Sequence, residues 1–484
     1  MKVLKEIRAL VAAGVFLLMT LFFLGIGAGC GLLEHVQIVP ALLGCALVPV
    51  LLWVVVTLLF GRLYCSMACP LGILQDLLSR LATGVFWGRR RFRPRRNHPF
   101  VRGGAVVAFL LGLLIGGASL ASLLDPYGTY GRFATHLFLP AADWLNNVLA
   151  GWLGTDGSLV LFRRELFLRS FSGFVLAGSS LIVLTVLVAW RGRLICNTIC
   201  PVGALLGALS KKSVFQIEID HKACVKCGLC SKVCKAQCLD GRSQTIDNTR
   251  CVRCFNCIGA CPKGAISYRT AGEGTMSGDR RRFLGEAGIG AVAGTVLAGT
   301  VLRRTATAEQ VLPPPGADVA NLRAKCTACG LCVARCPRRV IVPAGFTEYG
   351  PLGFMLPKLD FTHGFCDPNC TVCGTVCPSE AIRPLSLEMK KATRIGVATW
   401  DRTVCLVCSE EHLTCKLCSR RCPQKAITLK EEKVMKDGKV VMSGDRELKI
   451  SIPVVDVEAC TGCGACEHYC PVHAMKVKPV GGQS

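Results

Sequence analysis

The segments CVKCGLCSKVCK (224–235) and CVRCFNCIGACPKGAI (251–266) each contain four cysteines at the spacing C-x2-C-x2-C-x3-C. Zinc sites normally separate their CxxC pairs by a longer loop than this. Disulfides are unfavourable in the cytoplasm, the side to which the topology described below assigns these residues. The spacing therefore predicts iron–sulfur ligation and decides the fold of this part of the chain.

The spacing resembles that of a two-cluster bacterial ferredoxin, in which a short loop wraps three thiolates around one cube and the fourth thiolate reaches the other cube. On that rule each of the two predicted [4Fe–4S] clusters takes three cysteines from one segment and one from the other. The first set is Cys224, Cys227, Cys230 and Cys261, and the second is Cys251, Cys254, Cys257 and Cys234. Lys235 stands where proline usually follows the fourth cysteine.

Four further cysteine motifs follow in the last third of the chain and raise the predicted number of [4Fe–4S] clusters to six. Their cysteines are Cys326, Cys329, Cys332 and Cys336; Cys366, Cys370, Cys373 and Cys377; Cys415, Cys418 and Cys422 with either Cys405 or Cys408; and Cys460, Cys463, Cys466 and Cys470. Few of the 32 cysteines fall outside motifs, which supports the assignment. Among these, Cys30 and Cys45 are predicted to pack as small apolar residues, and Cys238 has no assigned role.

A different cysteine repeat ends two apolar runs: GRLYCSMACPLGIL (61–74) and GRLICNTICPVGAL (192–205). In a helical frame the two cysteines of each CxxxCP motif share one face, and Pro70 and Pro201 interrupt or restart the helix. The repeat predicts a duplicated helical hairpin that brings four thiols to one depth. These thiols, Cys65, Cys69, Cys196 and Cys200, predict a further metal or iron–sulfur centre; a thiol–disulfide relay and simple packing are the alternatives.

The mean hydropathy of +0.45 predicts that part of the chain lies in a membrane. Four apolar runs, at about 9–29, 38–60, 104–124 and 171–190, are each long enough to cross the hydrocarbon core as a helix. The excess of arginine between the second and third runs predicts that this loop and the N-terminus are cytoplasmic. The net charge of +25 is accordingly explained by topology rather than by nucleic-acid binding.

The loop at 125–170 is then predicted to lie outside. Polar residues near the outer helix ends are candidates for a quinone pocket, although surface solvation is the interpretation that the sequence favours for each. They are Glu34, His35, Asp125 and His136.

Arg280 to Leu284, in RRRFL, resemble a twin-arginine export signal and precede a weaker fifth apolar run, Leu284–Leu302. Ala306-Thr307-Ala308 fits a cleavage pattern, and an uncleaved tethering helix is the outcome we expect. Export of a folded protein would protect the many downstream thiols from oxidation. The predicted domains are a four-helix membrane domain (1–212), a cytoplasmic ferredoxin domain (213–270), a signal, helix and Pro-rich linker (271–316) and a periplasmic ferredoxin domain (317–484).

Residues 1–270 resemble the NapH-type membrane quinol dehydrogenase subunit, and residues 277–484 resemble the NapG/MauM-type periplasmic polyferredoxin. The resemblance implies an α-helical membrane bundle with two bacterial-ferredoxin-like α+β domains in a bacterial inner membrane. It also implies that, among the last four motifs, the first pairs with the fourth and the second with the third. Cys470 would then join Cys326, Cys329 and Cys332, Cys336 would join Cys460, Cys463 and Cys466, and Cys422 would join Cys366, Cys370 and Cys373.

No CxxCH motif for haem c and no GxGxxG placed after a strand for a nicotinamide or flavin fold is seen in the sequence. Electron transfer is the chemistry that remains. The predicted function is oxidation of quinol from the membrane pool and delivery of electrons to a periplasmic partner, a cytochrome c or a terminal reductase. A maturation or regulatory ferredoxin and an anchor subunit of a larger respiratory complex are the alternatives.

Overall fold

The computed structural model describes residues 2–26, 31–85, 92–95, 97–153, 163–270, 311–409, 414–436, 439–440, 442–443, 446–447 and 449–480. The chain forms two compact units. Unit 1 comprises Met1–Arg304 with Arg323–Leu331, and unit 2 comprises Thr305–Leu322 with Cys332–Ser484. The predicted export signal, fifth helix and cleavage site, and Cys30, lie outside the described residues.

Residues 2–210 of unit 1 are helical wherever regular structure is described. The helices are α1 (Lys2–Phe23), α2 (Gly31–His35), α3 (Ile38–Leu43), α4 (Leu47–Phe60), α5 (Tyr64–Met67), α6 (Pro70–Val85), α7 (Pro99–Leu114), α8 (Ala118–Ala121), α9 (Pro126–Phe133), α10 (Leu139–Leu153), α11 (Phe171–Arg191), α12 (Leu194–Thr198) and α13 (Pro201–Ser210). A π-helical turn, Ala134–Phe138, joins α9 to α10.

Within the described residues, two helices are long and apolar enough to cross a membrane: α1, over Val3–Phe23, and α11. The second and third predicted runs instead form the shorter apolar helices α4 and α7. The second run divides because Cys45 adopts a φ of 57°, which ends helical geometry between α3 and α4. Cys45 is also exposed, so the prediction that it packs as a small apolar residue is wrong.

Residues 215–270 fold as a small ferredoxin-like α+β body. Its elements are β1 (Phe215–Ile219), α14 (Leu229–Lys232), β2 (Leu239–Asp240), β3 (Thr245–Ile246), α15 (Asn256–Ala260) and β4 (Ile266–Thr270). Strand β1 pairs antiparallel with β4, and β2 pairs with β3. The outer strands therefore hold the two cysteine segments against each other.

The remaining described residues carry four cysteine motifs between short strands and helices. The helices are α16 (Val319–Lys325), α17 (Leu331–Arg335), α18 (Val372–Thr375), α19 (Leu387–Ala392), α20 (Leu417–Arg420) and α21 (Ala465–His468), with 3-10 turns at Pro351–Gly353 and Leu406–Cys408. The strands are β5 (Ile341–Pro343), β6 (Pro357–Leu359), β7 (Val397–Trp400), β8 (Ile427–Lys433), β9 (Met435–Lys436), β10 (Lys439–Val440), β11 (Met442–Ser443), β12 (Arg446–Glu447), β13 (Lys449–Val455) and β14 (Met475–Lys478).

Strand pairing shows how the last two motifs fold. Strand β7 pairs with β14, and β8 pairs with β13, all antiparallel. This repeats the β1–β4 and β2–β3 pattern of residues 215–270, with one cysteine motif inside each half. The third and fourth motifs of this block therefore form one ferredoxin-like fold. The resemblance instead implied that the first motif pairs with the fourth and the second with the third.

Candidate iron–sulfur sites

All six ferredoxin-type motifs share one backbone turn after the fourth cysteine. The third residue beyond that cysteine has a positive φ in each motif, and its N–H donates to the carbonyl of the cysteine. These residues are Gln237, Gly264, Arg339, Glu380, Lys425 and His473. A side chain in this conformation costs on the order of 1–3 kcal/mol, so its recurrence indicates a required geometry. The turn forms after Cys234 even though Lys235 replaces the usual proline.

Within residues 215–270, the thiols gather into two cavities. Cys224, Cys227, Cys230 and Cys261 line one of them. These are the four cysteines that the spacing assigns to the first cluster, and four thiols are the ligand set that a [4Fe–4S] cube requires.

The second cavity is lined by the other predicted set, Cys234, Cys251, Cys254 and Cys257, and by a fifth thiol, Cys238. The sulfurs of Cys234 and Cys238 lie 3.7 Å apart, and Cys238 is buried. Sequence reasoning left Cys238 without a role. The signal was available, because Cys238 stands four residues after the fourth cysteine, where four of the other five motifs have alanine (Ala265, Ala381, Ala426 and Ala474).

In unit 2 the structure groups the thiols differently from the pairing that the resemblance implied. Cys336 lines a cavity with Cys366, Cys370 and Cys373. Cys422 is among the thiols that raise the pKa of Cys463 to about 11, after burial. Cys336 therefore lies with the cysteines of the second motif and Cys422 with those of the fourth, and the implied placements of both are wrong. The physical reason is the β7–β14 and β8–β13 pairing, which brings the last two motifs together.

The third motif of this block has one cysteine more than a cube needs. Burial, followed by the nearby thiols of Cys415, Cys405 and Cys470, raises the pKa of Cys418 to about 11. Cys470 is thus beside the third motif, rather than in the set with Cys326, Cys329 and Cys332 that the resemblance implied. The sequence left open whether Cys405 or Cys408 completes this set, and Cys405 is the one of the two that raises the pKa of Cys418.

The CxxxCP cysteines, Cys65, Cys69, Cys196 and Cys200, are all buried, and the structure brings them together. Burial raises the pKa of Cys69 well above its usual value, and the thiols of Cys196, Cys65 and Cys200 raise it further. Burial also raises the pKa of Cys196 to about 11. Thiols so perturbed stay protonated unless a metal displaces the proton, as it does in thiolate sites generally.

Two buried arginines tie the CxxxCP motifs to each other reciprocally. Arg62 Nη2, of the first motif, donates to the carbonyl of Cys196 at 3.1 Å, and Arg193 Nη1, of the second, donates to the carbonyl of Cys65 at 2.7 Å. Both guanidinium groups are almost completely excluded from solvent. The duplicated Gly-Arg-Leu is thereby explained, because each arginine serves the other half of the repeat.

The duplicated glycines of the motif are close-approach positions. A Cβ on Gly72 would lie 2.4 Å from the carbonyl of Cys65, and one on Gly203 would lie 2.3 Å from that of Cys196. The N–H of Gly72 reaches the sulfur of Cys69 at 3.4 Å, and the N–H of Gly203 reaches that of Cys200 at 3.3 Å. The second cysteine of each pair therefore lies at the start of a helix, where thiolate charge is favoured.

A buried acid, Asp76, connects this site to the ferredoxin body. Its carboxylate meets Arg193 at 2.8 Å and both Arg8 and Lys235 at 3.5 Å. Burial alone would raise the pKa of Asp76, but Arg193 and Lys235 hold it well below its usual value. The backbone N–H of Arg193 also donates to the carbonyl of Lys235. The residue that departs from the ferredoxin pattern is therefore part of the junction.

The polar residues considered for a quinone pocket are mostly not on the surface. Glu34, Asp125 and His136 are buried, and His35 is half-buried. The expectation that these side chains are solvated at the surface is therefore wrong for the first three, because tertiary packing covers helix ends that look terminal in sequence.

Within the described part of the chain, no group of three or more His, Cys, Asp or Glu side chains has the geometry to hold a single metal ion.

Three sequence families of iron–sulfur proteins match the chain. The family described as 4Fe-4S binding domain matches residues 43–95 and 171–219, the two CxxxCP halves. Two families described as 4Fe-4S dicluster domain match residues 250–341 and 413–474. No solved structure matches the chain significantly.

Named relatives include ferredoxin-type proteins of two bacteria. The chain is 35% identical over 201 residues to the methylamine utilization ferredoxin-type protein MauM of Methylobacillus flagellatus, a match covering 39% of this chain and 77% of MauM. It is 33% identical to the ferredoxin-type protein NapG of Escherichia coli, covering 42% of this chain and 86% of NapG. It is 27% identical to the putative electron transport protein YccM of Escherichia coli, covering 46% of this chain and 55% of YccM.

Proposed function

The chain belongs to the family of MauM- and NapG-type ferredoxin proteins, iron–sulfur proteins of electron transfer, and from this premise we propose that it is a membrane-bound quinol dehydrogenase. Electrons from quinol pass through iron–sulfur clusters to a periplasmic acceptor, a cytochrome c or a terminal reductase. The apolar helices α1 and α11, supported by the shorter α4 and α7, anchor the chain in the inner membrane. Residues 213–270 face the cytoplasm, and residues 317–484 face the periplasm.

The observation that carries this proposal is the direct junction between the CxxxCP site and the loop of the second ferredoxin cavity. Asn197, between Cys196 and Cys200, donates to the carbonyl of Ala236 at 3.0 Å. Ala236 lies two residues after Cys234, a predicted cluster ligand. A helical anchor whose buried thiols contact a ferredoxin loop is suited to pass electrons between lipid-soluble and iron–sulfur carriers.

We propose that Cys65, Cys69, Cys196 and Cys200 hold one further iron–sulfur centre. Four buried thiols fit the donor set, and their site matches a family described by 4Fe-4S binding. Four ionised thiols leave a net negative charge even around a cluster, and Arg62 and Arg193 offset part of it in a region without solvent. The N–H groups of Gly72 and Gly203 add hydrogen bonds to sulfur, which tune the potential of such centres.

Bound clusters supply one-electron chemistry, and the residues of this chain set where it occurs. The six ferredoxin-type motifs account for six [4Fe–4S] clusters, with Cys405 rather than Cys408 as the proposed ligand beside Cys418. Asp76, Arg193 and Lys235 hold the CxxxCP site against the second cluster loop. Arg253, in the loop between Cys251 and Cys254 of the same cavity, donates from Nε to the carbonyl of Phe60 in α4 at 3.3 Å.

The test is anaerobic purification of the full chain in detergent, with iron and acid-labile sulfide measured per chain before and after addition of a short-chain quinol. We expect iron for six clusters, more if the CxxxCP site is loaded, and quinol-driven bleaching of cluster absorbance. Iron for only two clusters would contradict the cluster count. If the chain carries all its clusters, and dithionite reduces them but quinol does not, the result would contradict quinol oxidation.

A further inference from the structure

The polar cluster at the junction of α2 and α9 contains buried groups that lack hydrogen-bond partners. Both carboxyl oxygens of Glu34, the hydroxyl of Tyr127 and Oδ1 of Asp125 are enclosed without a partner at hydrogen-bond geometry. Glu34 has 0% and Tyr127 and Asp125 have 1% of their surface exposed. Unpaired polar atoms at this depth cost on the order of 1–3 kcal/mol each, so three such groups in one place need an explanation.

These groups face one another. The Tyr127 hydroxyl is close enough to Glu34 to lower the pKa of that carboxyl, although burial is the larger effect and raises it to about 8. Asp125 caps α9, its Oδ2 accepting from the N–H of Gly128 at 2.7 Å, which leaves Oδ1 free for another donor. Burial likewise raises the pKa of Asp125 to about 6.

Aromatic rings of α1 and α9 pack together at the cluster. The ring of Phe23 lies 6.3 Å from that of Tyr127 and 6.1 Å from that of Tyr130. Phe23 is the last residue of a helix long and apolar enough to cross a membrane. The cluster thus combines tilted aromatic rings, hydroxyl and carboxyl groups, and a position at the end of an apolar helix.

Cysteine motifs border the cluster on two sides within unit 1. A Cβ on Gly131 of α9 would lie 2.4 Å from the carbonyl of Cys329, so α9 packs against that motif. On the other side, Tyr64, next to Cys65, donates from its hydroxyl to Gln37 Oε1 at 2.8 Å, and Gln37 Nε2 reaches the carbonyl of Ala68. Predicted cluster ligands therefore lie on both sides of the polar cluster, near Cys329 and near Cys65, so electrons that leave it have a short path to either motif.

We propose that Glu34, Tyr127 and Asp125 form the binding site for the head group of the quinol, an inference that rests on the proposed function. The quinol ring packs beside Phe23, and its oxygens exchange hydrogen bonds with the three unpaired groups. On oxidation both O–H bonds break. One proton passes to Asp125 Oδ1 and one to the ionised form of Glu34, and quinone is left. Bound oxidised [4Fe–4S] clusters would accept the two electrons, one electron each.

The test uses the full detergent-solubilised chain with three variants: Glu34→Gln, Tyr127→Phe, and Glu6→Gln as the matched control at an exposed position of α1. A hydrogen bond to a charged group stabilises strongly enough that its loss lowers a rate about tenfold or more. We expect Glu34→Gln to slow quinol-driven cluster reduction about tenfold, Tyr127→Phe to slow it less, and Glu6→Gln to leave it unchanged. Reduction by dithionite and iron content should stay at wild-type levels.

A second readout is the infrared difference spectrum on adding oxidised short-chain quinone. Wild type should show a shift of a protonated carboxyl band that Glu34→Gln abolishes and Glu6→Gln retains. A wild-type rate in Glu34→Gln, or an unchanged carboxyl band in wild type, overturns the site. Absence of quinol-driven reduction in wild type with intact clusters would instead overturn the proposed function, so the two failures are distinguishable.

Discussion

The CxxxCP repeat and the ferredoxin-type motifs both gather four cysteines, but different local structures position them. In four of the six ferredoxin-type motifs the thiols come from a loop whose backbone includes left-handed residues, such as Lys226 and Arg253 at φ 53°. In the CxxxCP repeat they come from helix ends, with arginine side chains crossing between the halves. Three thiols of each cavity of residues 215–270 come from one local loop, whereas the CxxxCP thiols come together only through long-range packing.

This difference predicts how each site tolerates change. The second cavity of residues 215–270 holds a fifth thiol, Cys238, so we expect that a missing thiol can be replaced there. The CxxxCP site has no spare thiol among the residues described near it and relies on buried charges and on contacts at glycine. The predictions below test the contrast, beginning with the largest expected effect.

The largest effect concerns the second cluster and its fifth thiol. We expect Cys234→Ala to retain this cluster, because Cys238 lies 3.7 Å from the lost sulfur and lines the same cavity. The double variant Cys234→Ala with Cys238→Ala should lose about four irons per chain, the content of one cube. Iron analysis with Cys238→Ala as the control decides the matter. Loss of the cluster in Cys234→Ala alone would mean that Cys238 cannot serve as a ligand.

Asp76→Asn tests the buried ion network of the CxxxCP site. Removing the anion leaves Arg193, Arg8 and Lys235 without their shared partner, which should cost about 3–5 kcal/mol of unfolding free energy. Asp143→Asn is the control, since its pair with Arg164 is partly exposed and is expected to contribute less than about 1 kcal/mol. Thermal unfolding that is equal in both variants would contradict the network's role.

The carboxylate of Asp76 also predicts how the free energy of unfolding changes with pH. The pKa of Asp76 is lowered in the folded protein, so its stabilising contribution is present above the ordinary pKa of about 3.9. That contribution is lost as the pH falls from there towards the lower folded value. Wild type should therefore approach Asp76→Asn in stability only in strong acid, which unfolding measured from pH 7 downward would show.

Gly72→Ala and Gly203→Ala test the close approach of the two halves. The added Cβ meets a cysteine carbonyl at 2.4 Å or 2.3 Å, so each variant should lose about 1–3 kcal/mol of unfolding free energy. Iron in the six ferredoxin clusters should not change. Gly103→Ala in α7 is the control, because open space surrounds that position, and alanine is the better helix former there. Equal behaviour of all three variants would remove the packing argument.

The sequence predicted which thiols of residues 215–270 lie together, but it predicted the tertiary setting less well. The cysteine spacing identified the two sets that line the cavities of residues 215–270, because loop ligation is a local property. It did not reveal that Lys235 pairs with Asp76 or that Glu34 is buried, because both depend on contacts between distant segments. The implied pairing of motifs in unit 2 was wrong for the same reason, since strands such as β7 and β14 pair although two cysteine motifs lie between them in sequence.

The smallest expected effect is on a redox potential in unit 2. Lys390, 4% exposed, donates from Nζ to the sulfur of Cys366 at 3.0 Å. A cation there favours the reduced, more negative cluster, and a hydrogen bond to a charged group is worth about 1.5–3 kcal/mol. Since about 1.4 kcal/mol corresponds to about 59 mV for one electron, Lys390→Met should lower the midpoint potential of the cluster at Cys366 by about 60 mV or more. Lys391→Met, at the exposed neighbouring position, is the matched control and should shift it little. Potentiometric titration followed by electron paramagnetic resonance makes the measurement, and equal potentials in the two variants would show that the Lys390 contact does not tune the cluster.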